Sequence, residues 1–207
     1  LALLSACAPS ATPSADGASV ETRIAGIHYH PRQAGIRRAY QPEGQPGELH
    51  IDELGPTVRD GQTLYVTRSY GLGLDLRRYR EHTPSGVFRV RDEYASHTVT
   101  YDPPLQEYPA TIEPGRTWGG ATRAHYDFPG DEHDYAAIID YAFTAVQRRN
   151  VTINGRQLDV VVIDFEATQR NAGQTLAQQH WYAPHLGVVR TPDDLYLVNT
   201  NLPTPRR

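Results

Sequence analysis

Methionine and lysine are absent from this chain, and cysteine occurs once, at Cys7. A lone cysteine rules out an internal disulfide, so a folded body must be held by packing and hydrogen bonds. No apolar run after Cys7 approaches the ~20 residues that a membrane-spanning helix requires. An excess of positive charge is lacking too. The 20 basic residues, all arginine, face 24 Asp and Glu, for a formal charge of -4. No basic field is available to hold nucleic acid, and none is expected as a partner. The exclusive use of arginine leaves two readings open: the codon usage of a GC-rich genome, or a demand for two-pronged contacts to carboxylate or phosphate. Long amphipathic helical patterns, internal repeats and a second domain boundary are also missing. At 207 residues the chain suits one domain around one good core.

What is present begins with the short apolar stretch Leu1 to Leu4, which runs into Leu4-Ser5-Ala6-Cys7. These residues resemble the lipobox of bacterial lipoproteins, in which a signal peptidase cuts before the cysteine. The resemblance implies that residues 1–6 are a signal-peptide remnant whose charged start lies upstream. It also implies lipidation of Cys7 on its sulfur and new amino terminus, with palmitate as the kind of acyl chain. Each buried methylene adds ~0.8 kcal/mol, and two or more chains make a stable membrane anchor. A reactive thiol is the rival reading, but the small residues around Cys7 offer nothing to lower its pKa. Residues 7–20 are small, Pro-rich and almost uncharged, and read as a flexible tether. The expected location is the bacterial cell envelope, with the body, residues 21–207, facing periplasm or exterior.

Within the body, alternation dominates. Gln62 to Tyr70 alternates around Leu64, Val66 and Arg68; Val87 to Arg91 and His97 to Tyr101 follow suit. Tyr135 to Arg148 carries Ile139, Tyr141, Phe143 and Ala145 at spacing two, and Leu158 to Thr168 sets Val161, Ile163 and Phe165 against Asp164 and Glu166. Period two with β-branched and aromatic enrichment predicts half-buried strands. Asn154-Gly155 is the strongest hairpin signal, and Pro184 to Gly187 and Thr191 to Asp194 mark further turns. Tyr79 to His82 is read as the end of a short helix after Gly73. The fold class expected is all-β: a single curved antiparallel sheet or half-barrel with few short helices.

Three segments then occur in a recognisable order. They are Tyr101-Asp-Pro-Pro104 leading to Gly115-Arg-Thr-Trp118, the hairpin Val151 to Val160, and Trp181-Tyr182-Ala-Pro184-His-Leu-Gly187-Val-Val-Arg190. Over roughly residues 65–200 the chain is similar to the DUF3108 group of bacterial envelope and lipoprotein domains. The folds of that group resemble the curved half-barrel of the lipoprotein carriers LolA and LolB. The resemblance carries no catalytic residues. At His185 the chain departs from the group, which has a small residue or Gly there. The residues have a physical reading of their own. Gly115 permits a tight turn and Trp118 enters a strand as a core anchor with an indole N–H to satisfy. Trp181, Tyr182, Pro184 and Gly187 read as strand, stop and turn of a hairpin.

Candidate chemistry is sparse. His28-Tyr-His30 puts two imidazoles on one face of a strand, where they could chelate zinc or copper. The pair resembles the His-x-His of copper-binding superoxide dismutases, whose other ligand and disulfide patterns are missing here. A second cluster joins His125 and Asp127 to Asp131, Glu132, His133 and Asp134, which suits zinc or calcium. Against both stands the plainer reading of surface histidines and a solvated acidic loop. No nucleophile elbow or phosphate loop assembles, and Asp193-Asp194 reads as turn chemistry. Arg68, Arg77, Arg78, Arg80, Arg89 and Arg91 form either a docking face for acidic headgroups or an anionic partner, or a solvated strand face. The expectation is a non-enzymatic, lipid-anchored protein without a cofactor, binding an apolar small molecule or an envelope partner through its curved sheet. A structural accessory subunit of an envelope complex and a metal-binding periplasmic protein are the alternatives.

Overall fold

Backbone N–H and C=O groups in so strand-rich a chain must be paired along the sheet, and a closed sheet pairs them all. The computed structural model describes residues 24–26, 30, 32–133, 135–153 and 155–202. Cys7, the segment 7–20 expected to be a tether, His28, Asp134 and Asn154 lie outside them. A short β1 (Ile24–Ala25) precedes β2 (Arg37–Pro42), β3 (Leu49–Arg59), β4 (Gln62–Gly71), β5 (Leu74–Thr83), β6 (Gly86–Tyr94) and β7 (Thr98–Pro109). After β8 (Thr111–Ile112) come β9 (Thr117–Asp127), β10 (Tyr135–Ile153), β11 (Arg156–Gln169), β12 (Gln174–Ala183), β13 (Gly187–Arg190) and β14 (Leu195–Thr200). Strands β1 and β8 pair with each other; the other twelve close into one antiparallel up-and-down barrel, with β14 beside β2. The Arg37 N–H donates to Asn201 Oδ1 at 2.8 Å, and Asn201 Nδ2 donates to the Gly35 carbonyl at 2.8 Å. The two ends of the barrel chain are thus clasped at the seam.

The all-β expectation holds, and the sheet closes completely where a half-barrel would stop. Among the described residues there is no α-helix, nor any helix long and apolar enough to cross a membrane. The segment Tyr79 to His82 is not helical but belongs to β5. Ladders to β4 on one side and β6 on the other satisfy its backbone, which overrides local preference. Residues Asn154-Gly155 do mark a hairpin: Ile153 pairs with Arg156, and Gly155 has a φ of 71°.

Period two decides what fills the interior. Tyr141, Phe143 and Ala145 on β10 and Val161, Ile163 and Phe165 on β11 point inward with Trp118 from β9, forming an aromatic slab across one part of the lumen. Phe143 lies directly opposite Phe165, with ring centroids 4.6 Å apart, and Trp118 stacks on Phe143 at 5.6 Å. Burial of each such side chain is worth ~1.5–3 kcal/mol. A second cluster gathers Tyr40, Ile153, Val160, Leu186, Val189, Leu195 and Leu197. Val160, Val161, Val162 and Ile163 are consequently buried on both faces of β11.

Because strands run up and down, turns alternate between two rims. Those after β2, β4, β6, β9, β11 and β13 share one rim, and the chain segments before β2 and after β7 lie at the other.

Candidate functional site in the barrel lumen

Eight strands enclose just enough space for side chains to fill, so twelve leave room over. A cavity of about 440 Å³ remains inside the barrel. Near the first rim Leu49, Leu74, Leu76, Ile139, Ala167 and Leu176 project into it from β3, β5, β10, β11 and β12 and form most of the wall, with Ser69, Thr191 and Asp193 as polar groups beside them. Deeper, the lining changes to Arg78, Arg80, Arg89, Glu107 and His180. His30, Tyr108 and Tyr182 line it as well, Tyr182 meeting Tyr108 edge-to-face at 5.4 Å.

The charged layer is a network. Arg78 grips Asp92 through Nε and Nη2 at 2.8 and 3.0 Å. Arg80 and Arg89 both donate to Glu107, Arg89 Nε at 2.7 Å, and Arg80 Nη1 also reaches Thr67 Oγ1 at 2.9 Å. Tyr101 donates to Asp92 at 3.3 Å. Burial alone would raise the Glu107 carboxyl, but the guanidiniums of Arg80, Arg89 and Arg78 outweigh it and hold it well below the usual carboxylate range. Asp92 is lowered for the same reason, burial being overcome by Arg78 and Arg89. The histidines go the other way. Burial, then Arg89 and Arg78, bring His180 down to about 4; burial, then Arg32 and Arg80, bring His82 down to about 3. These side chains are neutral at physiological pH.

One bulge builds this layer. In β6 the partners of Tyr79 and Arg80 are Arg91 and Arg89, leaving Val90 as an extra residue. Arg89 and Asp92, three apart, therefore both reach the interior network, while Val90 packs outside against Leu64, Val66 and Tyr79. The arginine-rich stretch is neither a docking face nor a solvated one throughout: Arg78, Arg80 and Arg89 turn inward, whereas Arg68 holds Asp75 outside. The sequence singled these arginines out but gave no sign that Glu107 would join them, since no alternation links β7 to β5 across a bulge.

The other expected residues are scattered. His30 is buried, its ring edge-on to His82 at 5.1 Å, and His28 lies outside the described residues. His125 sits on β9 opposite Thr100 and Ala136, and His133 is in the exposed turn after it, paired with Asp131. Among the described residues no three His, Cys, Asp or Glu side chains converge on a metal position. Gly115 turns with a φ of 82°, and the indole N–H of the buried Trp118 donates to the Glu107 carbonyl at 3.2 Å. Tyr182 enters the core, while Trp181 faces out between Arg149 and Arg190, whose guanidiniums stand 4.0 and 4.7 Å from its ring. Pro184 leaves the strand; His185 and Gly187 take φ values of 65° and 81°, which explains why a Gly suits position 185.

The outer wall carries charged and polar pairs: Asp164 of β11 with Gln179 of β12 at mid-strand, Arg68 of β4 with Asp75 of β5 nearer the first rim, and Asp140 of β10 with Arg170 in the turn after β11. A lipid-embedded barrel needs an apolar band there.

No family model and no curated protein matches this chain. Among solved structures, a protein of Bacteroides fragilis NCTC 9343, inferred to be exported and assigned a YmcC-like fold, is similar over 84% of this chain and 99% of its own. The identity is 13% and the TM-score 0.46. The closed barrel described above stands on strand pairing within this chain.

Proposed function

We propose that the protein is a non-enzymatic binding protein of the bacterial envelope that takes an apolar small molecule into its barrel lumen. The observation that carries this reading is the cavity of about 440 Å³ with Leu49, Leu74, Leu76, Ile139 and Leu176 along its wall. That volume falls in the range of ~300–1,000 Å³ that holds small ligands. Side chains such as Leu176, half exposed where it lines the cavity, gain burial once a guest covers them. The inner carboxylates Glu53, Asp92 and Glu107 are engaged with arginines, and the lumen's histidines are held neutral, an arrangement for holding rather than for proton transfer. The envelope address and the lipid anchor rest on the Leu4-Ser5-Ala6-Cys7 motif.

Extraction of protein purified from its native envelope, followed by mass spectrometry, is expected to recover a recurring apolar molecule near one per chain. An empty extract, together with no heat on titration with alkyl compounds, would overturn the binding reading. Mass analysis of the N-terminal peptide tests the address separately: acylation at Cys7 is expected, and an unmodified sulfur with residues 1–6 attached removes the anchor.

A further inference from the structure

The lumen is graded along its axis, and the grading says more than that it is apolar. We propose that Arg78 and Arg89 form a head-group site for a singly charged anionic amphiphile, bound head inward with its chain along the apolar wall toward the rim. The proposal rests on the lumen being the binding site and adds the chemical class and orientation of the guest.

Three observations carry it. First, the inner network counts three guanidiniums, Arg78, Arg80 and Arg89, against two carboxylates, Asp92 and Glu107, leaving one positive charge over. The neighbouring Arg38–Glu53 pair is balanced, His30, His82 and His180 add no charge near neutrality, and Asp193, the other carboxylate lining the cavity, stands in the turn after β13 at the first rim, outside this network. Second, the accessible surface of the network belongs to the cations. The Arg78 and Arg89 side chains are 24% and 16% exposed, whereas Asp92 and Glu107 are 1% and 7%. The carboxylates stand behind and the guanidiniums in front. Third, donors remain. Among the described residues Arg78 Nη1 and Arg89 Nη1 have no hydrogen-bond acceptor; the carboxylate oxygens facing them are 3.8 and 3.7 Å away, on Glu107 and Asp92. An anion between them would accept charge-assisted hydrogen bonds and neutralise the surplus.

Orientation follows from position along the strands. On β5, Leu74 lies at the turn, Leu76 two residues in and Arg78 four residues in, about 13 Å at 3.3 Å per residue. The apolar wall lies between the rim and the arginines, so the chain of an acid whose head reaches Arg78 must cross it. A surplus of one charge favours a monoanion such as a carboxylate over a doubly charged phosphate.

The test uses the full chain stripped of lipid and titrated calorimetrically with dodecanoate, dodecanol, dodecylammonium and dodecyl phosphate. Dodecanoate is expected to bind about tenfold or more tighter than dodecanol, the scale of one charge-assisted hydrogen bond. Dodecylammonium is expected to be weakest, and Arg78→Gln should erase the margin between acid and alcohol. Equal affinity for acid and alcohol overturns the head-group site while leaving the lumen reading intact. Failure of all four to bind overturns both, and dodecyl phosphate outdoing dodecanoate overturns the monoanion. Should Arg78→Gln fail to fold, orientation decides on an otherwise unaltered lumen. Trp118 is bonded to the Glu107 carbonyl in the arginine layer, so in a Trp181→Phe background its fluorescence should be quenched more by 2-bromododecanoate than by 12-bromododecanoate. The reverse order overturns the proposal.

Discussion

Two arginine–carboxylate pairs on β5 and its neighbours make nearly the same contacts in opposite surroundings. Arg68 holds Asp75 on the outer face through Nε and Nη2, both at 2.9 Å, while Arg78 holds Asp92 inside at 2.8 and 3.0 Å. The side chain of Asp75 is 50% exposed and that of Asp92 1%. Geometry alone would rank them equal. Solvent separates them: water screens the outer pair, whereas the inner carboxylate has given up its hydration in return for contacts that nothing else can replace. The comparison teaches that the lumen's charges are held by one another, so that removing any one strands its partner, whereas those outside stand independently.

The largest effect expected from breaking the inner member is Asp92→Ala. It leaves Arg78 without its bidentate partner, and urea unfolding should show a loss of about 3–5 kcal/mol. Glu107→Gln comes next, because the amide retains shape and one acceptor while Arg80 and Arg89 lose their shared anion. A loss of about 3 kcal/mol is expected in the same measurement. If either variant unfolds at the wild-type urea concentration, the network does not carry the weight assigned to it.

Acid sharpens the comparison from another side. His82 and His180 have folded-state values of about 3 and about 4, and His30 is also well below 6.5, burial being the first cause in each. The unfolded chain takes up protons at these sites as pH falls below about 6.5 while the folded chain does not, so stability declines from there toward pH 4. Asp92 and Glu107 add to the decline below their ordinary values of 3.8 and 4.5: their contribution is full above those values and is lost as pH drops toward the depressed folded ones. Urea midpoints at pH 7, 5.5 and 4.5 should step downward, and His180→Gln should make the slope shallower. A flat profile contradicts neutral burial of the histidines.

The smallest effect belongs outside. Arg68→Ala is expected to leave the urea midpoint within experimental scatter, and 1 M salt should erase any difference that remains, because the Debye length there is about 3 Å. A salt-insensitive loss as large as that of Asp92→Ala would abolish the distinction between the two faces.

Much of this barrel is legible in one dimension. The spacing of Tyr141, Phe143 and Ala145 marks an inward face, and that of Val161, Ile163 and Phe165 marks its partner. Both signals are local, because successive side chains of a strand point to opposite sides wherever the strand ends up. In β4 the same rule misleads about direction. Leu64 and Val66 are buried, yet under the outer cluster with Tyr79, while Thr67 and Ser69 line the lumen. Alternation states that two faces differ and leaves open which one is inside.

The amino-acid sequence by itself determined that the body is made of strands, where Gly155 turns the chain, and that Trp118 is an anchor. It also set a lone Cys7 before a segment rich in proline and small residues. Tertiary structure alone decided three things: that β14 meets β2 and closes the sheet, that the extra residue Val90 swings Arg89 and Asp92 to the same interior, and that Glu107 meets them there. The reason is physical. Periodicity and turn chemistry act between neighbours along the chain, whereas closure, register and the balance of buried charge depend on groups brought together from far apart in it.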